Sequence, residues 1–472
     1  MSLNMQPDST INVLLVDDDE EFADLVTEFL IAEGGFGVTQ RHGGVAGVQA
    51  SLDLANAGVK VYLVEKGAAI GGTMAQLDKT FPTNDCSMCI LSPKFIECAT
   101  NPNIEIITLA QVETVDGEAG NFSVQVVQQP RYVDEAKCTA CGTCSEYCPI
   151  WVPDQYNEGL NDHKCIHIHF PQAVPAVSIV DPTRCLFLNR QECQICVPTC
   201  RNKAINFKQL AATRTLEVGS IILTPGYEVY DPTAQSHYGY GRFSNVVTSL
   251  EYERLLSASG PNRGELIRPS DGRLPEKIAW IQCVGSRDET AGCTYCSAVC
   301  CMYATKQVIL TKEHHPEIGV TVFHNDIGAF GKGFERFYDR ARQMEGVCYH
   351  WGRGAVLDQD MKTGEITVRY RVNGSGVRDE AFDMVVLSVG LTSTDGNREL
   401  ARKMKIDILE NGFCTSPDLA PVETSKKGVF ACGDVRAQLV RQVTNAVGDG
   451  TTAAVAAEKH LEQLEDKHAQ RV

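Results

Sequence analysis

HGGVAGVQASLDLANAGVKVYLVE, residues 42–65, is the stretch whose reading decides the fold. Two glycines lead into VAGVQASLDLAN, where apolar residues recur at helical spacing, and Gly58 ends the helix. The following KVYLV (60–64) is a buried strand that finishes at Glu65. Glycine turn, helix, strand and terminal acid make the second half of a βαβ dinucleotide-binding unit. In that reading Gly43, Gly44 and Gly47 let the backbone approach a pyrophosphate seated on the helix N-terminus. Glu65 takes a ribose hydroxyl, and Lys66 beside it joins the cofactor-binding set. The first glycine of the GxGxxG pattern is replaced by His42, whose Cβ works against close approach to phosphate.

Far downstream, TSKKGVFACGD (424–434) brings a short apolar strand to Gly433-Asp434. It resembles the second FAD motif of two-dinucleotide-domain flavoproteins, in which the aspartate binds the ribityl chain at a strand end. An alanine-rich helix over Val443–His460 follows, and its N-terminus is expected to face the flavin. Two such fingerprints in this order imply FAD. They also imply an α/β, two-dinucleotide-binding-domain flavoprotein of the thioredoxin reductase-like type.

Cysteines interrupt this frame twice. Of the twenty in the chain, twelve fall into three clusters. The first is Cys138-x2-Cys141-x2-Cys144-x3-Cys148-Pro149, the run that wraps a [4Fe–4S] cube and lends its fourth cysteine to a second one. The second, Cys185-x7-Cys193-x2-Cys196-x3-Cys200, repeats the pattern with its first gap stretched. By the same exchange, Cys138, Cys141, Cys144 and Cys200 hold one cluster, while Cys148, Cys185, Cys193 and Cys196 hold the other. Eight ligands in two matching sets weigh against zinc, disulfides or a single mononuclear site. The strand-like NFSVQVV precedes this region and LEVGSIILTPG follows it, so a dicluster ferredoxin domain is inserted into the FAD domain. Cys165 falls outside both spacings and reads as a packed thiol.

The second interruption follows the strand IAWIQC (278–283). Where a nicotinamide-binding domain would carry a second glycine turn, this chain runs through Cys283 into GCTYCSAVCCMYATK. Cys296, Cys300 and Cys301 lie within about 1.5 helical turns. With Cys283 at a rigid strand end they make a third [4Fe–4S] ligand set; Cys293 competes for the fourth place. Lys306, further along that helix, is the one candidate catalytic residue, through a positive charge near flavin or cluster; a solvated helix lysine is its alternative.

The expected organisation is a receiver-like fragment at 1–40, with FAD-binding segments at 41–130, 208–275 and 386–472. The ferredoxin insert occupies 131–207, and a nicotinamide-domain-like region with the third cluster occupies 276–385. INVLLVDDD (11–19) resembles the opening of a response-regulator receiver, with Asp17 and Asp18 as its acid pair. No phosphate-accepting aspartate ends the next strand, but INVLLV is available as a surrogate first strand for the FAD sheet. A net charge of −17 argues against nucleic acid and anionic membrane surfaces as partners. No run approaches the roughly 18 apolar residues of a membrane span, and the opening MSLNMQPDST lacks an export signal. A cytoplasmic redox protein without direct membrane insertion is expected, its cysteines serving metal or catalysis.

TFPTNDCSMCILSPK, PRYVDEAKCTACGTCSEYCP, FPQAVP, IQCVGSRDE, YCSAVCCMYATKQ and AFGKGFERFYDRA together resemble the A-type subunits of heterodisulfide reductase, from about Gly43 to the C-terminus. The resemblance implies an FAD and multi-cluster electron-transfer component of a cytoplasmic complex. It implies three clusters here, partner subunits of the same reductase type, an electron-input protein and ferredoxin; a homodimer is compatible with it. Longer members carry an N-terminal iron–sulfur domain and a C-terminal ferredoxin, so part of their wiring is expected to be missing. Cys86-x2-Cys89 reads equally as ligands without partners or as packing thiols. Competing readings are a stand-alone NAD(P)H-dependent flavoenzyme, a protein like the A-type subunits of quinone-interacting oxidoreductases, and a ferredoxin-like carrier on a degenerate flavin fold.

Overall fold

The computed structural model describes residues 12–16 and 44–469, apart from 353, 373–375, 418–419 and 438–440. His42, Gly43, Asp17, Asp18 and the remainder of the receiver-like fragment lie outside the described residues.

The first layer is a parallel sheet of five strands, in spatial order Val429–Ala431, Ser220–Leu223, Asn12–Val16, Lys60–Glu65 and Ile104–Thr108. Val13 pairs with Ser220 on one side and Val61 on the other, so the INVLLV segment does take the first-strand position. The chain reverses its winding at this central strand. Ligands of open α/β sheets bind at such a switch point, outside the carboxyl ends of the strands. Helix Val45–Asn56 covers the sheet with Val48, Leu52 and Leu54 buried, each such side chain contributing roughly 1.5–3 kcal/mol by leaving water. The C-terminal helix Val443–Ala469 lies along it through Ala453, Ala454 and Ala457. This approach is so close that a Cβ at Gly450 would run into the carbonyl oxygen of Ala46.

A three-stranded antiparallel sheet, Ala110–Glu118, Asn121–Gln128 and Ala212–Val218, flanks the first layer. Gln128 pairs with Ala212, so the chain leaves and re-enters this sheet at neighbouring strand ends. The segment between folds around a small core that includes Val133, Val152, Ile166 and Val180. It is bolted to the dinucleotide-binding layer by buried cations. Arg131 Nη2 donates to Ala68 O at 2.9 Å, while Arg254 donates to Gln76 O at 2.7 Å and Asn157 Oδ1 at 3.0 Å. Burial holds the Arg131 guanidinium below its usual pKa, and Glu135 opposes that.

A second parallel sheet runs Val246–Thr248, Met384–Val389, Lys277–Val284, Gly319–His324, Val347–Trp351. In strand Lys277–Val284, Ile278 and Trp280 pack toward helix Cys300–His314, and Ala279 and Ile281 toward the opposite face. The strand, turn, helix and following strand Gly319–His324 repeat the dinucleotide-binding plan. Thiols stand where its turn would carry glycines.

Candidate flavin and iron–sulfur sites

A cleft opens at the carboxyl edge of the first sheet, lined in part by Gly44, Ala46, Thr224, Gly433 and Asp434. Gly44 is the N-cap of helix Val45–Asn56 and offers no side-chain cap, leaving that end to an external anion. Gly47 is required by packing, because a Cβ there would stand 2.7 Å from Thr224 Oγ1. Gly433 has φ of +75° and its Cβ would stand 2.9 Å from that of Ala46. Gly47 and Gly433 thus serve the packing of the helix against the strand ends, while Gly44, whose Cβ would meet nothing within 4 Å, leaves open space in the cleft for a flavin dinucleotide. Glu65 and Lys66 end the neighbouring strand outside the cleft lining; Glu65 is buried and accepts the Gly67 N–H at 2.7 Å.

Arg441, which carries no spacing signal in the sequence, joins this cleft from just ahead of helix Val443–Ala469. Its Nη1 donates to Asp434 O at 2.9 Å and lies 3.8 Å from Asp434 Oδ1. Burial raises the Asp434 carboxyl above its ordinary pKa, and Arg441 pulls the other way.

The twelve cysteines gather around three separate cavities. Cys138, Cys141, Cys144 and Cys200 line one. Cys148, Cys185, Cys193 and Cys196 line a second, with Cys165 as a fifth thiol in the wall. Cys283, Cys296, Cys300 and Cys301 line a third, from which Cys293 is absent. Local backbone makes these turns tight, with left-handed φ at Ala140 (55°), Cys193 (69°), Cys283 (62°) and Ala298 (56°). Among the described residues no three His, Cys, Asp or Glu side chains are arranged to hold a single metal ion. Four thiols spread around a cavity fit a cube better than they fit tetrahedral zinc, whose sulfurs close to about 2.3 Å from one ion.

Burial pushes the Cys196 and Cys301 thiols up to about 12. Iron must therefore displace their protons on binding. Gln282, next to Cys283 in sequence but outside the lining of the third cavity, is 1% exposed, and both its amide atoms lack a partner among the described residues. Val299 lines both the third cavity and the flavin cleft, so the two sites share a wall one residue from Cys300.

The description of the pyridine nucleotide-disulphide oxidoreductase family matches residues 294–450, and that of the 4Fe-4S binding domain matches residues 131–150. The A component of the H(2):CoB-CoM heterodisulfide,ferredoxin reductase of Methanothermobacter thermautotrophicus is 46% identical over 419 residues, or 88% of this chain. The second of the iron-sulfur A components of CoB–CoM heterodisulfide reductase in Methanopyrus kandleri is 46% identical over 418 residues. Over this span the chain belongs to the family of heterodisulfide reductase A-type subunits. It covers 62% and 63% of the length of those two relatives. A thioredoxin reductase of Lactococcus lactis superposes with a TM-score of 0.50 at 16% identity, covering 96% of this chain and 99% of that one. The fold is thioredoxin reductase-like, and FAD and [4Fe–4S] clusters are the cofactors that go with it and with the ferredoxin motif. No helix among the described residues is long and apolar enough to cross a membrane.

In this chain Lys306 is buried, which removes the solvated reading, and it does not itself line the cleft. It is fully buried, its Nζ 2.6 Å from Glu253 Oε1 and 2.7 Å from Lys79 O. Glu253 also accepts from Gln307 Nε2 at 2.9 Å and from the Asp78 N–H at 3.2 Å. Lys306 thus ties the helix of Cys300 and Cys301 to the segment whose Leu77 and Phe81 line the flavin cleft. Burial is why its charge is committed: an ammonium removed from water needs an anion at contact. Cys165 is a packed thiol as expected, donating to Asp181 O at 3.4 Å, though its place in the second cavity wall was not foreseen.

Proposed function

We propose that this chain is the FAD and iron–sulfur electron-transfer component of a heterodisulfide reductase-like complex. In this reading it distributes electrons from a protein donor toward ferredoxin and toward a disulfide-reducing partner, the bifurcating role. One observation carries the proposal. A four-thiol cavity stands at the turn that would bind a nicotinamide dinucleotide, and it shares Val299 with the flavin cleft.

Three [4Fe–4S] clusters would be held by the three cysteine quartets, and FAD by Gly44, Gly47, Gly433 and Asp434, with Gly43, Glu65 and Lys66 as further contacts. FAD supplies a two-electron couple and each cluster a one-electron couple, so their combination divides electron pairs. The chain's own residues set the geometry. Arg254 and Arg131 hold the two-cluster insert against the dinucleotide-binding layer, and Lys306 with Glu253 holds the third-cluster helix against the cleft. Val299 keeps the last separation apolar. Two further relatives, both of Methanosarcina acetivorans, are A components of a ferredoxin:CoB-CoM heterodisulfide reductase and of a ferredoxin/F(420)H(2)-dependent one; their names support ferredoxin-type partners.

With the nicotinamide turn given over to thiols, electrons enter through a protein. The anaerobically purified chain mixed with NADH or NADPH is expected to keep its flavin oxidised, while dithionite bleaches flavin and clusters together. Rapid stoichiometric flavin reduction by NADH alone would overturn the proposal in favour of a stand-alone flavoenzyme.

A further inference from the structure

One pair of thiols stands outside all three cavities. Cys86 and Cys89 bracket the first turn of helix Ser87–Thr100, and both are exposed, whereas Cys98 on the same helix is buried. Cys86 is the N-cap, and its Sγ accepts the N–H of Cys89 at 3.2 Å. Hydrogen bonding to Cys86 holds the Cys89 thiol above its ordinary pKa. No third ligand completes a metal site with them among the described residues.

Their place in the fold is informative. Strands Lys60–Glu65 and Ile104–Thr108 run parallel as neighbours, and helix Ser87–Thr100 crosses between them. Its N-terminus therefore lies at the carboxyl edge of the sheet, where the flavin cleft opens. Phe81 lines that cleft, and the five residues from it to Cys86 span at most about 18 Å. A C-x-x-C pair at the start of a crossover helix in a βαβ unit has the form of a redox-active dithiol.

We propose that Cys86 and Cys89 form a reversible dithiol–disulfide couple that reduces external disulfides. The Cys86 thiolate attacks one sulfur of R–S–S–R′, a new S–S bond forms, and R′S⁻ leaves. The Cys89 thiolate then attacks the Cys86 sulfur, expels RS⁻ and closes the internal disulfide. Two electrons pass to the substrate, and the two protons given up by the cysteines end on the released thiols. An external dithiol resets the pair by the reverse steps. This couple is independent of the three-cluster reading, since neither sulfur lines a cluster cavity.

The test uses the full chain, purified anaerobically and treated with oxidised glutathione as the probe disulfide. After denaturing alkylation and trypsin, the peptide Thr80–Lys94, which contains both cysteines, is weighed. The expected product is an internal disulfide that dithiothreitol reopens, with iron content unchanged. Cys89→Ser should instead trap glutathione on Cys86, because the resolving sulfur is gone. Glutathione on both cysteines of the parent chain, or neither cysteine reacting, would overturn the proposal. So would loss of iron in Cys86→Ser or Cys89→Ser, which would make the pair metal ligands.

Discussion

Gly47→Ala is expected to weaken FAD binding through a single contact. The added Cβ would stand 2.7 Å from Thr224 Oγ1, but 3.4 and 3.5 Å from Thr224 Cβ and Cγ2, which are near ordinary contact. Either Thr224 turns or helix Val45–Asn56 retreats by several tenths of an ångström from the strand end. Overpacking of this kind costs about 1–3 kcal/mol. Replacing a helical glycine returns about 0.5–1 kcal/mol of that to folding, so overall stability should change little. The burden falls on the helix N-terminus that FAD must approach. If most of it appears in binding, FAD affinity falls roughly 5- to 100-fold, at 1.4 kcal/mol per decade. Apo-protein titrated with FAD, followed by quenching of flavin fluorescence, reads this directly. Thr224→Ala removes the offending oxygen, so Gly47→Ala/Thr224→Ala should bind FAD as Thr224→Ala alone does. Undiminished affinity in Gly47→Ala would refute the reasoning, and so would a double variant as weak as Gly47→Ala.

Lys306→Met should lower unfolding stability by about 3–5 kcal/mol in urea, because Glu253 is left as a buried unpaired charge. Adding Glu253→Gln should recover much of it, and a loss under ~1 kcal/mol would contradict the buried pair. Glu251, in the capping box of helix Ser249–Leu256, has its carboxyl raised by burial to about 7 from an ordinary 4.5. Between those values the native state holds more proton than the unfolded chain, so stability falls as pH rises through that window and levels off above it. The group accounts for about 3 kcal/mol across the window, and Glu251→Gln should flatten it. An unchanged pH slope in urea denaturation from pH 5.5 to 8 would refute this assignment.

The parts that could be read ahead were those written in local spacing. The C-x2-C-x2-C run of Cys138, Cys141 and Cys144 carries its geometry in the turn itself, and Cys200 could be assigned to the first quartet because the second run repeats the first with one gap stretched. INVLLV is recognisable as a strand by its apolar run Val13–Val16, and Asn12–Val16 stands at the centre of the first sheet. Contacts between distant segments were out of reach. The sequence offers no partner for Lys306; Glu253, 53 positions earlier, and Lys79 O, 227 positions earlier, are brought to it only by folding. The Gly47–Thr224 contact and the Arg441–Asp434 contact likewise depend on folding. Cys165 joins the second cavity through a loop whose sequence carries no ligand spacing.

A flavoprotein frame with three separate clusters predicts a definite iron count, which iron analysis and electron paramagnetic resonance of Cys300→Ser, purified anaerobically beside the parent chain, would read. The parent should hold about twelve irons, as three cubes require. Cys300→Ser should lose about a third of that iron, with the two signals of the cysteine-rich insert intact. An unchanged iron content and spectrum in Cys300→Ser would contradict the account.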